Sequence, residues 1–228
     1  PTAAESLDRR SVLLRGGALG VVAAATSTLI VGPALAQQSA FGAGTEVAVE
    51  ALMQAGPRPD NAIGSATAPV TLVEYSSMTC PHCAQFHKDV LPALKSKYID
   101  TGKIRYIVRE FPLDDLATAV FMLARCLPVE KYFPFVDVMY LNQEKWRIDN
   151  PVPTLMQFAK QAGFSEEAFN TCLKDQKLID DIATIRQRGA DEFKVKSTPT
   201  FFMNGKRLER GDDIKYFDQA MAELGFAA

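Results

Sequence analysis

Two cysteines separated by two residues lie where a β-rich run gives way to a helical one. The run VTLVEY, Val70–Tyr75, has the β-branched and aromatic residues of a short strand. The segment after the cysteines, AQFHKDVLPALKSKY, has the spacing of a helix. Cys80-Pro81-His82-Cys83 occupies the junction. This order places both thiols at the amino end of a helix that follows a strand.

Pro81 suits the first helical position, because its missing N–H would be unpaired there and its φ is already helical. Cys80 is then the N-cap residue, next to free N–H groups and the positive end of the helix dipole. That field and a protonatable His82 both stabilise a thiolate, so we expect a lowered pKa for Cys80. Cys83, one turn further on, is expected to be the less exposed, resolving thiol.

A CxxC pair can also bind zinc or form a structural bridge instead of exchanging thiols. A zinc site needs four ligands, usually in two close pairs, and the chain has no second CxxC or HxxH. His87 lies at helical spacing from Cys83 but brings no second pair. A structural CxxC bridge would close too short a loop to remove much chain entropy. Redox exchange without a metal or prosthetic group is therefore the favoured chemistry.

The first 36 residues have the order of a secretory signal peptide. The pair Arg9-Arg10 precedes an apolar run, Ser11–Val31, and Ala34-Leu35-Ala36 supplies small residues for cleavage. The paired arginines favour a twin-arginine signal, with Sec export and a retained anchor as alternatives. We therefore expect a soluble protein exported to the periplasm.

Net charge and cysteine content exclude further classes of protein. Without residues 1–36 the chain has 22 basic and 25 acidic residues, a balance that argues against a nucleic-acid binder. Four cysteines in an exported chain indicate disulfide chemistry, but they are too few for a disulfide scaffold in a chain of 228 residues. Each pair of cysteines therefore needs its own explanation.

The rest of the chain predicts a small sheet interrupted by helices. Residues 37–68 are interpreted as an N-terminal arm or linker, with a short helix near Glu46–Gln54. A second strand is predicted at Lys103–Phe111, and helical spacing dominates about 113–193. Strand character returns in TPTFFMNGKRLE, where Asn204-Gly205 is a hairpin turn signal. We predict an α/β domain over 69–228 with a helical insertion.

The motifs VEYSSMTCPHCAQF and STPTFF resemble the DsbA-type thiol:disulfide oxidoreductases of the thioredoxin superfamily, nearest to their alphaproteobacterial branch. The resemblance covers about 62–225. It implies a thioredoxin fold in which Pro199 is a cis-proline facing the CxxC, with Thr198 before it. A cis X-Pro bond can turn the preceding backbone outward to pair with an extended substrate. A trans proline at a strand edge is the alternative.

Glu74 alternates onto the same face of the predicted strand as Val70 and Leu72. A carboxylate inside an apolar strand is unfavourable unless it has a role. The resemblance implies a buried acid that relays protons to and from the resolving cysteine. The alternative is a strand-end glutamate paired with Arg109 or Lys103.

Cys126 and Cys172 fall on separate predicted helices of the insertion. In an oxidising compartment we expect a structural disulfide between them, and the alphaproteobacterial branch carries such a bridge. Closing 46 residues would contribute about 4 kcal/mol in the chain-entropy model. Two buried free thiols are the alternative. His87, Trp146 and the run KYFPFVDVMYL are predicted to be packing or solvated positions without chemistry.

The resemblance implies a periplasmic dithiol oxidase. Its substrates would be reduced exported polypeptides, and a quinone-linked membrane oxidase of the DsbB type would reoxidise it. An isomerase or reductase of the same superfamily is the first alternative, although isomerases usually dimerise through an added N-terminal domain and residues 37–68 are short for one. A zinc-binding or passive adhesion module is the second alternative.

Overall fold

The computed structural model describes residues 38–54 and 56–226. The expected signal peptide, residues 1–36, lies outside the described residues. Within the described ranges, no helix combines the length and the apolar character needed to cross a membrane.

A mixed five-stranded sheet lies at the centre, in the order β1-β3-β2-β4-β5. Strands β2 and β3 are parallel, and the other neighbouring pairs are antiparallel. All but one of the side chains of β2 are buried, because it is flanked by strands on both sides and covered on both faces. The strands are β1 (Asn61–Ile63), β2 (Val70–Ser76), β3 (Ile104–Glu110), β4 (Thr200–Met203) and β5 (Lys206–Arg207).

Helices precede, connect and follow these strands. The stretch between β3 and β4 holds α4 to α9, where the sequence predicts the helical insertion. The helices are α1 (Val49–Met53), α2 (Pro81–Gln85), α3 (Leu91–Leu94), α4 (Asp115–Cys126), α5 (Val129–Leu141), α6 (Gln143–Trp146), α7 (Val152–Ala162), α8 (Glu166–Cys172), α9 (Gln176–Asp191) and α10 (Ile214–Glu223).

The helix that begins at the CxxC is longer than α2 and is not uniform. It continues through a π-helical turn, Phe86–Val90, into α3 and then through a second π turn, Lys95–Ile99. Pro92 has no N–H and its ring would meet a carbonyl of the preceding turn, which accounts for the widened turn before it. His87 lies in that first π turn and is buried.

The two faces of the sheet carry different cores. The smaller cluster includes Tyr75 and Phe202, and it packs against α1 and the end of α9. The larger cluster includes Leu72 and Tyr106, and it contains the buried side of the insertion. Glu74 alternates onto this larger face, so its carboxylate points into the thickest part of the core.

The described part of the N-terminal arm belongs to the sheet, which the sequence did not predict. Residues 61–63 pair with the free edge of β3, and Phe41 forms an isolated bridge with Leu208. The predicted hairpin turn is present, with positive φ at both Asn204 (46°) and Gly205 (81°).

Candidate active site

Cys80 and Cys83 lie on successive turns of the helix that follows β2. Cys80 is the N-cap of α2 with extended backbone angles, and its carbonyl accepts the first helical hydrogen bond, from Ala84 N at 3.2 Å. Pro81 occupies the first helical position, as the sequence predicts. Both thiols are free, and both residues are buried, with 4% of Cys80 and none of Cys83 exposed. A single thiol can therefore be reached from outside.

The Cys80 thiolate is stabilised by groups around the helix start. The largest effect comes from a hydrogen bond with the Cys83 thiol, and the Thr198 side chain and the backbone N–H groups of Cys83 and His82 add to it. Together these groups outweigh the effect of burial and lower the pKa of Cys80 to about 5. His82 itself is exposed on the first turn. Its backbone N–H contributes to this effect, and the role expected for its imidazole stays a prediction.

The Thr198–Pro199 peptide bond is cis, as the resemblance implies. The Cys80 thiol donates to the Thr198 carbonyl oxygen at 3.2 Å, so this loop faces the CxxC directly. Thr198 Oγ1 is buried and has no hydrogen-bond partner while Cys80 is a thiol. Loss of the thiol proton would give this hydroxyl an acceptor, which explains why Thr198 favours the thiolate.

Cys83 has the opposite tendency to Cys80. Burial raises the pKa of the Cys83 thiol, and the Cys80 sulfur and the negative charge of Glu74 raise it further, while Ser76 lowers it. Cys83 is therefore a thiol under conditions in which Cys80 is a thiolate. The two sulfurs have different protonation states although they are neighbours on one helix.

Glu74 lies beneath Cys83 in a polar cluster closed off from solvent. Ser76 Oγ donates to Glu74 Oε1 at 2.6 Å, and the Tyr106 hydroxyl donates to Glu74 Oε2. The Tyr140 hydroxyl lies 2.7 Å from Ser76 Oγ. Burial, followed by the charge of Glu74, raises the pKa of Tyr106 well above its ordinary value, so its hydroxyl remains a donor.

The alternative pairing of Glu74 with Arg109 does not occur. Arg109 instead forms a bidentate pair with Asp60, at 2.9 and 2.8 Å, and donates to the Tyr75 hydroxyl. Strand alternation is the reason, because Arg109 shares the smaller-core face with Tyr75 while Glu74 points to the larger core. Lys103 precedes β3, at the opposite end of the strand from Val108, the residue paired with Glu74.

His87 is the residue that sequence reasoning missed. Its Nε2 lies 3.5 Å from Glu74 Oε2, and its Nδ1 lies 3.0 Å from Asp137 Oδ1. Burial disfavours the imidazolium, but the hydrogen bond to Asp137 and the negative charges of Glu74 and Asp137 prevail and raise the pKa of His87 to about 9. A polar residue four positions after Cys83, on the apolar side of a helix, was the available signal.

Two side chains at the insertion hold the loop that carries Cys80. Gln143 Nε2 donates to the carbonyl oxygens of Met78 and Cys80, at 2.7 and 3.0 Å. Asp114, the N-cap of α4, accepts a hydrogen bond from Thr79 Oγ1 at 2.7 Å. Nothing in the sequence pattern marked these residues, because their partners are backbone or side-chain groups far away along the chain.

Cys126 and Cys172 form the expected disulfide, which joins the end of α4 to the end of α8. It lies within the insertion and apart from the CxxC. Trp146 is fully buried and donates through Nε1 to the Met139 carbonyl at 2.7 Å, a packing role.

Among the described residues, no group of three or more His, Cys, Asp or Glu side chains is arranged to hold a metal ion. Glu74 and Asp137 both approach His87, but they do so at opposite ring nitrogens. The three side chains therefore do not converge on one point.

Comparison with known proteins agrees with this arrangement. A family model described as thioredoxin matches residues 58–223. A Rickettsia typhi protein named as a protein-disulfide oxidoreductase is 38% identical over 154 residues, which are 66% of this chain and 56% of that protein. The chain thus spans little more than half the length of the curated relatives it matches.

Solved structures share the fold across most of the chain. The crystal structure of Wolbachia pipientis alpha-DsbA1 superposes with a TM-score of 0.71 at 32% identity, covering 78% of this chain and 96% of that one. A protein-disulfide isomerase from Novosphingobium aromaticivorans has a TM-score of 0.64 at 23% identity, covering 72% and 97%, a likeness of fold alone. The chain belongs to the thioredoxin family, in its DsbA branch.

Proposed function

We propose that this protein is a periplasmic thiol:disulfide oxidoreductase that introduces disulfide bonds into exported polypeptides through Cys80 and Cys83. The observation that carries the proposal is the contrast between the two sulfurs. Cys80 faces the cis-Pro199 loop with a pKa of about 5, while Cys83 is fully buried with a raised pKa. The names of the Rickettsia and Wolbachia relatives support the same chemistry.

The exchange begins with the Cys80–Cys83 disulfide. A substrate thiolate attacks Cys80 Sγ, the bond between the two enzyme sulfurs breaks, and Cys83 leaves and takes up a proton. A second substrate thiolate then attacks the substrate sulfur of the mixed disulfide and releases Cys80 as a thiolate. The substrate loses two electrons and two protons, and the enzyme gains the two electrons and, near neutral pH, one of the protons.

The low pKa of Cys80 favours this direction for two reasons. A stabilised thiolate is a better leaving group in the second step. It also stabilises the reduced enzyme relative to the disulfide form, which makes that disulfide a stronger oxidant. Glu74 lies where a carboxylate can exchange the Cys83 proton, and Thr198 and Pro199 lie where an extended substrate can pair with the backbone.

The partners follow from the chemistry and from the family. The substrates are reduced exported polypeptides, and a quinone-linked membrane oxidase of the DsbB type restores the Cys80–Cys83 disulfide. The protein needs no prosthetic group, since both electrons are held by the two sulfurs.

The deciding experiment is the reduction potential of the Cys80/Cys83 couple, equilibrated against glutathione with Cys126 and Cys172 intact. We expect a value near that of a strong oxidant, about −120 mV. A value near that of thioredoxin, about −270 mV, would assign the protein to the reductases or isomerases instead.

A separate experiment tests which of the two sulfurs forms the mixed disulfide with a substrate. The Cys83→Ser variant should accumulate mixed disulfides on non-reducing gels, because the Cys80 thiolate can still attack a disulfide of a substrate and displace one of its sulfurs, but no neighbouring thiol then releases Cys80. Cys80→Ser is the matched control and should accumulate none. Equal accumulation in both variants would contradict the assignment of Cys80 as the attacked sulfur.

A further inference from the structure

A row of polar side chains leads from Cys83 through the core to the surface. Ser76 Oγ donates to Glu74 Oε1 at 2.6 Å, and Glu74 Oε2 lies 3.5 Å from His87 Nε2. On the other side of the ring, His87 Nδ1 lies 3.0 Å from Asp137 Oδ1. The row crosses from β2 to the first π turn and then to α5.

Only the last member of this row reaches solvent. The side chains of Glu74 and His87 are fully buried, whereas 45% of the Asp137 side chain is exposed. Asp137 and His87 line an apolar groove of about 650 Å³, which Leu91 and Phe133 also line. Cys80 does not line this groove, so the row opens to solvent away from the pocket beside the cis-proline.

The proposed function requires a path along which a proton can reach the buried Cys83. When a polypeptide is joined to Cys80, it covers the face on which the CxxC is reached. Cys83 is fully buried at that moment and has to gain a proton as it leaves the disulfide. A second connection to solvent meets this need.

We propose that His87 and Asp137 form the outer half of a proton route that connects Cys83, through Glu74 and Ser76, with solvent in the groove. The inference rests on the proposed function, because Cys83 changes protonation only if it leaves and re-forms a disulfide. His87 acts on Cys83 through Glu74, and Asp137 acts through His87. Both are therefore positioning residues.

The proton balance can be followed atom by atom. As the Cys80–Cys83 bond breaks, the imidazolium gives its Nε2 proton to Glu74, and Cys83 receives one proton by way of Ser76. The neutral ring keeps the Nδ1 proton that it shares with Asp137. Solvent in the groove beside Asp137 then returns one proton to the ring, so one solvent proton replaces the proton that Cys83 has taken up. No hydrogen bond holds Nε2, so the ring is tied only at Nδ1.

The groups around His87 favour this direction of transfer. Glu74 and Asp137 supply two carboxylates, while Tyr140 stacks on the ring at 4.1 Å and Phe86 packs edge-on at 5.6 Å. Tyr106 shares Glu74 Oε2 with His87, and burial keeps it a phenol. The raised pKa of Cys83 makes its thiolate a strong proton acceptor, and the pKa of His87, about 9, keeps it charged near neutral pH.

The test measures how fast a dithiol reduces the oxidised protein between pH 6 and 10, in wild type and in variants. For His87→Ala we expect a rate at least about tenfold lower at pH 7, by analogy with lost acid–base groups. Above pH 9 the ratio of the His87→Ala rate to the wild-type rate should return towards one, because His87 of the wild-type protein is then neutral as well. Added imidazole, which can enter from the groove, should restore the rate.

Asp137→Asn is a second variant at a partly exposed position, which keeps the test decisive if His87→Ala does not fold. Asp137 raises the pKa of His87, so the imidazole of the Asp137→Asn variant should lose its proton at a lower pH than that of wild type. The reduction rate of the variant relative to wild type should therefore fall as the pH rises from 6.5 to 9. Glu130→Gln is the matched control, since Glu130 lies on the same helix and lines the same groove.

Two results would overturn the route. One is a His87→Ala rate that equals wild type across the pH range. The other is a loss of equal size at every pH that imidazole does not restore, which would assign His87 to packing. If the wild-type protein does not exchange thiols with the dithiol, the proposed function fails instead, so the two failures can be told apart.

Discussion

Nε2 of His87 lies 3.5 Å from Oε2 of Glu74, and both side chains are fully buried. Either charged side chain would be energetically unfavourable in the core without a partner of opposite charge. Together with the hydrogen bonds from Ser76 and Tyr106 they form a neutralised polar cluster under the resolving sulfur. The electrostatics of the site therefore extend well beyond the four residues of the CxxC.

The first prediction concerns the titration of His87. Glu74→Gln removes a carboxylate that raises the pKa of His87, so the midpoint should fall from about 9 by roughly 1–3 pH units. The measurement is NMR titration of the imidazole resonances, which is simple because the chain has two histidines. Glu130→Gln should leave the His87 midpoint in place. An unchanged midpoint in Glu74→Gln would show that the pair is not coupled.

A second prediction concerns stability against pH. Folding raises the pKa of His87 from 6.5 to about 9, so its contribution is complete below pH 6.5 and is lost as the pH rises through 9. Folding lowers the pKa of Cys80 from 9.0 to about 5, so the thiolate's contribution is complete above pH 9 and is lost as the pH falls through 5.

These opposed effects separate the two redox forms. The oxidised protein lacks the Cys80 thiolate and should lose stability between pH 6.5 and 9. The reduced protein should gain stability relative to the oxidised one as the pH rises from 5 to 9. Urea unfolding of both forms at constant ionic strength measures the difference, and parallel pH curves would rule out the thiolate as its source.

A third prediction separates the two ways in which His82 can act on Cys80. His82→Ala removes the imidazole but keeps the backbone N–H that favours the thiolate. We expect the pKa of Cys80 to rise above 5 and to stay well below 9.0, as read from the ultraviolet absorbance of the thiolate. Gln85→Ala, exposed on the same helix, is the control. An unchanged titration would exclude the imidazole as a determinant.

The fourth prediction concerns the second disulfide. Replacing both Cys126 and Cys172 by serine opens a loop of 46 residues, so the free energy of unfolding should fall by up to about 4 kcal/mol. The thiolate titration of Cys80 should not change, because the bridge lies within the insertion. Urea unfolding and absorbance titration of the double variant test the two statements, and an unchanged unfolding midpoint would contradict the stabilising role.

Much of the fold could be predicted because the signals are local. Alternating or continuous apolar runs marked β2 and β3, Pro81 marked the helix start at Cys80, and Asn204-Gly205 marked the hairpin turn. The short edge strand at 61–63 was missed because three residues in a Pro- and Gly-containing arm have no clear period. Its place in the sheet depends on the free edge of β3.

The sequence by itself determined the CxxC at a strand–helix junction, the order of strands β2 to β5 and of the helices between them, and the resemblance that singled out Pro199 and Glu74. Only the tertiary structure decided what surrounds Glu74. Periodicity shows which side of an element faces the core, but it does not show which distant residue meets it there. Asp137 is 50 residues from His87 along the chain, and the packing of α5 on the active-site helix alone brings them within 3.0 Å.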